Sequence, residues 1–423
     1  MPPTLTENDR GVSTRNEKAR APAPAPLPLE GMRVLDLCQV MAGPFCCMLL
    51  GDMGADVIKV EPPGNGDQTR GAMGFKLKGN DSLGFMNLNR NKRSIALDLK
   101  NQYGREAFYE LVKTADVVVE NYRPGVTARL GIDYEKLSEI KPGLIYASIS
   151  GFGQTGPWSD RPGFDLMAQA MTGIIAITGH PGQPPVRAGV PVADLGCGLF
   201  ALYAVLSAYI GKQKTGVGQY IDSSLFESAL ALTIWDTAQY WGTGKRPEPI
   251  GTANRMSAPY QAVKAKDGYF VLGANNARLW ERLCKVVGRP ELVSDPRFAT
   301  IPDRLARIPE LIAEIEKQLA TRSADEWVEL MLAAGVPAAP ILNLADALDS
   351  DHAKARQMVM ELEHPVEGSV RSLGFPVKFS GTPPVVRLPP PLLGEQSAEI
   401  MREIGIADDG VEALRRGGAF GGP

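Results

Sequence analysis

The chain has 423 residues, 44% hydrophobic and 22% charged, with a formal net charge of -3 and a pI near 5.8. That length allows two or three domains with full-sized cores, and the weakly acidic balance carries no electrostatic case for nucleic acid or a membrane surface as a partner. Five scattered cysteines (Cys38, Cys46, Cys47, Cys197, Cys284) without C-x-x-C spacing, and three histidines (His180, His352, His364), argue against a disulfide framework, a zinc cage or a Ser-His-Asp triad.

Residues 1–28, with the Ala-Pro alternation from Ala21, lack the apolar surface needed to fold and are expected to form a disordered tail. Its acidic residues Glu7, Asp9 and Glu17 speak against a transit peptide. No stretch approaches about 18 uninterrupted apolar residues, so no transmembrane span is expected, and the unpaired cysteines suggest a cytoplasmic protein.

From Gly31 short apolar strands alternate with helices. Arg33–Leu37, Ala55–Glu61, Ser94–Leu99, Ala115–Glu120, Leu144–Ile149 and Gly218–Asp222 read as strands; Pro44–Met53, Gly104–Lys113 and Val126–Ile140 read as helices between them. This alternation predicts a doubly wound, Rossmann-like α/β layer, whose ligands collect at the carboxyl ends of the strands. The first strand-to-helix turn, Cys38-Gln39-Val40-Met41-Ala42-Gly43-Pro44, lacks G-x-G-x-x-G, which disfavours a dinucleotide in its usual mode.

A Gly, Pro, Thr and Asn-rich stretch, residues 242–259, reads as a linker between a large domain (29–241) and a smaller α+β domain (260–340). The smaller unit carries a hairpin closed at Asp267-Gly268 and helices near Leu279–Val287, Arg304–Leu319 and Ala324–Ala334. Residues 341–415 read as a return linker, with a helix near Ala353–Met360, and a C-terminal part. Its helix Ser397–Ile404 is expected to pack back on the large domain.

One carboxylate stands out. Asp194 lies where the turn Gly189-Val190-Pro191 enters an apolar helix running to about Ile210. Two roles fit it. It can cap the helix, or it can serve as a nucleophile kept ionised by the positive end of the helix dipole. Asp165, 29 residues earlier, has a similar pair of readings: a cap for its own helix, or a neighbour that orients Asp194 and raises its pKa.

From Leu29 to Leu414 the order of glycines, acids and strands resembles the family III CoA-transferases, the formyl-CoA and carnitine CoA-transferase group. The matching segments include LEGMRVLDLCQVMAGP, GDMGADVIKVEPPGNGDQTRG, ADVVVENYRPG, ISGFGQTGP, RPGFDLMAQAMTG, VADLGCG, KTGVGQYID, SDPRF, GVPAAP and PLLGE. The resemblance implies that Asp194 is the catalytic nucleophile, passing through aspartyl anhydride and aspartyl-CoA thioester intermediates, with Asp165 in support. It further implies an intertwined homodimer and no metal or cofactor beyond coenzyme A as substrate. For CoA it points to Met41, Ala42, Leu97, Lys100, Asn121, Tyr122, Arg123 and Arg129.

The match has departures. Pro62 stands where a formyl-CoA transferase has a CoA-contacting Arg, with Arg70 as a possible replacement. The segment Gly251–Tyr260 lacks the family's shielding glycine run, which makes formyl-CoA and oxalate less expected. Asn254 and Arg255 then become candidates for the acyl group or a distal carboxylate, beside the plainer role of shaping the linker. The expected substrates are acyl-CoA, with succinyl-CoA as donor, and small carboxylic acids, with a dicarboxylate as acceptor. Two alternatives are weighed: an α-methylacyl-CoA racemase, disfavoured because Phe164 occupies the position of its catalytic His, and a non-catalytic acyl-CoA-binding subunit, disfavoured by Asp194 itself.

Overall fold

The computed structural model describes residues 26–71, 74–79 and 81–421, so most of the expected tail lies outside the described residues. Six parallel strands form the main sheet: β1 (Arg33–Asp36), β2 (Asp56–Glu61), β3 (Lys92–Ala96), β4 (Val117–Glu120), β5 (Ile145–Ser150) and β6 (Tyr220–Ser224). Their order in space is β3-β2-β1-β4-β5-β6, the doubly wound arrangement. Alternate side chains feed two cores, as the period of a strand requires. Val34, Val57, Val117 and Val119 enter the layer shared with the helices Ala42–Asp52 and Val192–Thr215, whereas Leu35, Ile58 and Val118 enter the opposite one.

Chain reversal closes the second layer. Ile400 and Met401 of the helix Ser397–Glu403 and Val411 of the helix Asp408–Arg416 are buried with Ile95, Leu97 and Phe108. A third core, with Trp280, Phe298, Leu311 and Met331, lies under a three-stranded antiparallel sheet of β7 (Tyr260–Lys264), β8 (Tyr269–Gly273) and β9 (Ala338–Pro340). Strands β10 (Val359–His364) and β11 (Gly368–Leu373) pair separately.

Local punctuation moves several boundaries. The expected helix Val126–Ile140 is two helices, because Gly131 adopts φ +71° after Leu130 and Asp133 caps the second. The segment Arg304–Leu319 likewise splits at Arg307, before Pro309. The helix expected near Ala353–Met360 stops at Ala355, and Val359 opens β10.

Among the described residues, the helix Val192–Thr215 is long and apolar enough to cross a membrane by length and composition. One face packs Ala193, Cys197, Ala201 and Val205 into the core, and Gly198 comes so close to the first helix that an added Cβ would stand 2.7 Å from the Ala42 carbonyl oxygen.

Candidate active site

Strands β1 and β4 are neighbours whose connections leave in opposite directions, and a crevice opens at their carboxyl ends. Two loops form its walls, Gln39–Ala42 and Asn121–Pro124. They are tied together: the Asn121 side chain accepts from the Gln39 N–H at 2.9 Å and donates to the Gln39 carbonyl at 2.8 Å. Behind Asn121, the buried Glu120 carboxyl accepts from the Tyr122 N–H and the Ser148 hydroxyl.

The first loop is strained, since Val40, a β-branched residue, has φ +69°. Buried charges hold it there. Asp67 accepts from the Val40 N–H at 3.2 Å, and Lys59 donates to the Cys38 carbonyl at 2.8 Å while pairing with Asp67 at 2.9 Å. Asp36 accepts from the Cys38 N–H and is itself bound by Lys92. The Asp36, Cys38 and Cys47 ligand atoms converge within 4.8 Å, but the Lys92 ammonium already sits 2.8 Å from Asp36, so this trio makes no case for a metal.

Asp194 occupies the first turn of the long helix, yet it is not the cap. Pro191 at the cap position has no capping side chain, and Asp165 reaches in from the helix Asp165–Met171 to do that work. One Asp165 oxygen accepts from the Ala193 N–H at 2.9 Å and the Asp194 N–H at 3.4 Å; the other accepts from Gln169 Nε2 at 2.6 Å. Gln169 in turn binds the Ala188 N–H. Asp165 therefore caps the neighbouring helix rather than its own, and the Asp194 carboxylate is left without a hydrogen-bond partner among the described residues.

Burial, and secondarily the charge of Asp165, push Asp194 up to about 7. The expectation that this acid stays ionised at the helix start is thus qualified by its burial, which disfavours the charged form. An acid poised near neutrality, unpaired and facing a cleft, is suited to nucleophilic or proton-transfer chemistry.

The cleft measures about 350 Å3. Of the residues singled out from the sequence, it brings together Met41, Ala42, Asn121, Tyr122, Arg123 and Asp194. Arg129 is exposed on the next helix, near Gly125. Leu97 is buried in the core and Lys100 is exposed beyond β3; neither lines the cleft.

Three further positions differ from expectation. Arg70 is an internal ion-pair centre: Glu61 binds it twice at 2.8 Å, Asp81 at 2.9 Å and the Pro391 carbonyl at 3.1 Å, which leaves it little to offer a ligand. Arg255 pairs with Asp236 at 2.7 Å, and Asn254 accepts from the Met256 and Ser257 N–H groups. Both shape the linker and lie outside the Asp194 cleft. Sequence reasoning missed Gln39, Gln68, Arg161 and Phe164 as lining residues, although RPGFD and the turn after β1 were both prominent.

Comparison with known proteins gives this geometry a family. The family model described as CoA-transferase family III matches residues 29–397. The chain is 41% identical to the human succinyl-CoA:glutarate CoA-transferase, over 90% of this chain and 87% of that protein. It is 42% identical to the acetyl-CoA:oxalate CoA-transferase of Acetobacter aceti, over 88% of this chain and 95% of that one. Among solved structures, a CAIB/BAIF family protein from Brucella suis superposes with a TM-score of 0.79 at 38% identity, covering 90% of this chain and all of that one. The crevice and its carboxylate thus stand in an enzyme that transfers CoA, and the chain belongs to CoA-transferase family III.

Proposed function

We propose that the protein moves CoA from succinyl-CoA to a small dicarboxylate, with Asp194 as nucleophile. The observation that carries this reading is an unpaired carboxylate in the cleft, freed from capping duty by Asp165. An Asp194 oxygen attacks the thioester carbonyl and expels CoA thiolate, giving a mixed anhydride. The thiolate then attacks the aspartyl carbonyl, releasing succinate and leaving aspartyl-CoA. The acceptor carboxylate displaces the thiolate to form a second anhydride, and thiolate attack on its acceptor carbonyl yields the new acyl-CoA and free Asp194. Each step exchanges bonds of similar energy, so carboxylate catalysis is sufficient without a further cofactor.

The strained loop Gln39–Ala42 and the Asn121 clasp supply a preset wall for the CoA arm, with Arg123 and the nearby Arg129 available for phosphates. Relatives named for succinate, glutarate and oxalate support a dicarboxylate class. Incubation with succinyl-CoA followed by peptide mass analysis tests the reading. A CoA-sized adduct on the Asp194 peptide is expected, and its absence during demonstrable transfer would overturn the assignment. Phe164, exposed in the cleft, offers no base for the racemase alternative.

Only ionised Asp194 attacks, so kcat/KM for the donor should rise about tenfold per pH unit below neutrality and level off above about 7. Asp165→Asn removes the like charge and should move this limb to lower pH, by less than the whole displacement because burial is the larger cause. An unmoved limb would show that Asp165 acts only as a helix cap.

We further propose a cytoplasmic, intertwined homodimer in which 29–241 and 341–415 build the large domain and 260–340 the small one. Its support is a set of large apolar side chains left exposed among the described residues: Leu199, Tyr203 and Ile210 on the long helix are 50–61% exposed, and Trp235 and Trp241 are 67% and 79% exposed. Light scattering should report twice the chain mass of 45.5 kDa, and a monomer would refute the proposal.

A further inference from the structure

Two cations, Arg123 and Arg161, line the cleft among the described residues. Neither makes a side-chain hydrogen bond or ion pair with another described residue, in contrast to Arg70, Arg90, Arg93 and Arg255. Arg123 follows the Asn121 clasp on the β4 side, along the loop that leads to Arg129. Arg161 stands elsewhere, on the segment that carries Asp165 to the start of the Asp194 helix.

That segment is fixed at two points, both just C-terminal to Arg161. At the first, Gly163 crosses Gly151, just after β5, so closely that a Cβ on Gly151 would stand 2.7 Å from the Gly163 Cα. At the second, Asp165 is bonded to the Ala193 and Asp194 N–H groups. Asp165 lies four positions after Arg161, a span of at most about 14 Å.

The guanidinium is also set in place. It stacks over the Trp158 ring with its carbon 5.1 Å from the centroid, and the Arg161 backbone N–H donates to the Trp158 carbonyl at 2.9 Å. Trp158 packs edge-on against Phe226 at 5.4 Å and Phe152 at 6.1 Å. A stacked guanidinium keeps its in-plane donors free, and such a fork matches a carboxylate in two hydrogen bonds.

We propose that Arg161 binds the distal carboxylate of the acyl chain and so selects dicarboxylic acids over monocarboxylic ones. The inference rests on the acyl-CoA reading of the Asp194 cleft. It replaces Asn254 and Arg255 as the specificity element: the Asn254 oxygen is taken by linker N–H groups and the Arg255 guanidinium by Asp236. An acyl chain two methylenes long would place one end at Asp194 and its charged end towards Arg161. A chain without that second carboxylate gains nothing from the guanidinium.

The test compares succinyl-CoA with butyryl-CoA, which has the same chain length but no distal charge, in single-turnover acylation of the full-length enzyme read by mass spectrometry. In Arg161→Met, which retains an unbranched stem over Trp158, acylation by succinyl-CoA should fall about 30- to 100-fold and that by butyryl-CoA less than about threefold. Arg161→Lys should recover part of the succinyl-CoA rate, since a point charge replaces the fork. Equal losses with both thioesters would mean that Arg161 contacts CoA itself, and no loss with either would mean that it contacts no substrate; both overturn the proposal. Failure of the wild-type enzyme to acylate Asp194 with any thioester would instead defeat the underlying acyl-CoA reading.

Discussion

Asp194→Asn and Asp194→Ala should each lower CoA transfer by at least about 10^4-fold while leaving the protein folded and, above pH 7, more stable. On the proposed mechanism, the kinetic part follows from removal of the carboxylate that carries the acyl group; an amide or methyl side chain forms no anhydride. The stability part follows from the sign of the pKa displacement. Asp194 goes from the ordinary 3.8 to about 7 on folding, so its neutral form is favoured in the native state. Below pH 3.8 both states are protonated and the residue carries no penalty. The penalty grows as pH rises from there to about 7 and is constant above.

A full displacement of that size corresponds to about 4 kcal/mol, which partial solvent access reduces to roughly 1–3 kcal/mol. Urea unfolding at pH 5 and pH 8 checks this: the advantage of Asp194→Asn should be larger at pH 8. Near-normal turnover in either variant would remove Asp194 from the mechanism, and a variant less stable than wild type at pH 8 would remove the claim of a strained acid.

What the sequence disclosed and what it hid divide along a physical line. Strand alternation was legible because most of the strands are short and buried on both faces, as the apolar Val117–Glu120 illustrates. Asp194 was conspicuous because a lone acid opens an apolar helix. Its freedom from capping was not, since the cap arrives from Asp165 through a fold-dependent approach that no local pattern encodes. Arg70 misled for the same reason: a cation reads as available until Glu61 and Asp81 are seen beside it. Arg161 is the converse, a cation whose side chain pairs with no acid among the described residues and lies over Trp158. The positive φ of Val40 was also hidden, because nothing in a valine announces a conformation that Asp67, Lys59 and Asn121 impose from other strands and loops.

That imposition leads to the largest expected effect on stability. Lys92 is 1% exposed, and its ammonium has three short contacts, to Asp36 at 2.8 Å, Asn89 at 2.8 Å and the Pro44 carbonyl at 3.0 Å. Burial pushes the Asp36 carboxyl up, but the Lys92 and Lys59 cations overcome it and hold this acid below its ordinary value. Lys92→Met keeps the volume and deletes the charge, leaving Asp36 with Lys59 at 4.0 Å and the Cys38 N–H. The expected cost is about 3–5 kcal/mol, the magnitude for stripping one partner from a buried pair.

The sign with pH is fixed by the depressed acid. Stability due to the pair is present above the ordinary value of 3.8 and is lost as pH falls below it, so wild type and variant should converge in acid. Asp36→Asn added to Lys92→Met removes the orphaned charge and should recover part of the loss, even though each single change is harmful. Because Asp36 also holds Cys38 at the head of the cleft loop, kcat/KM should fall with stability in Lys92→Met and rise again with it in the double variant. A Lys92→Met protein within about 1 kcal/mol of wild type at pH 7, or a double variant no more stable than the single one, would show that these charges do not carry the loop.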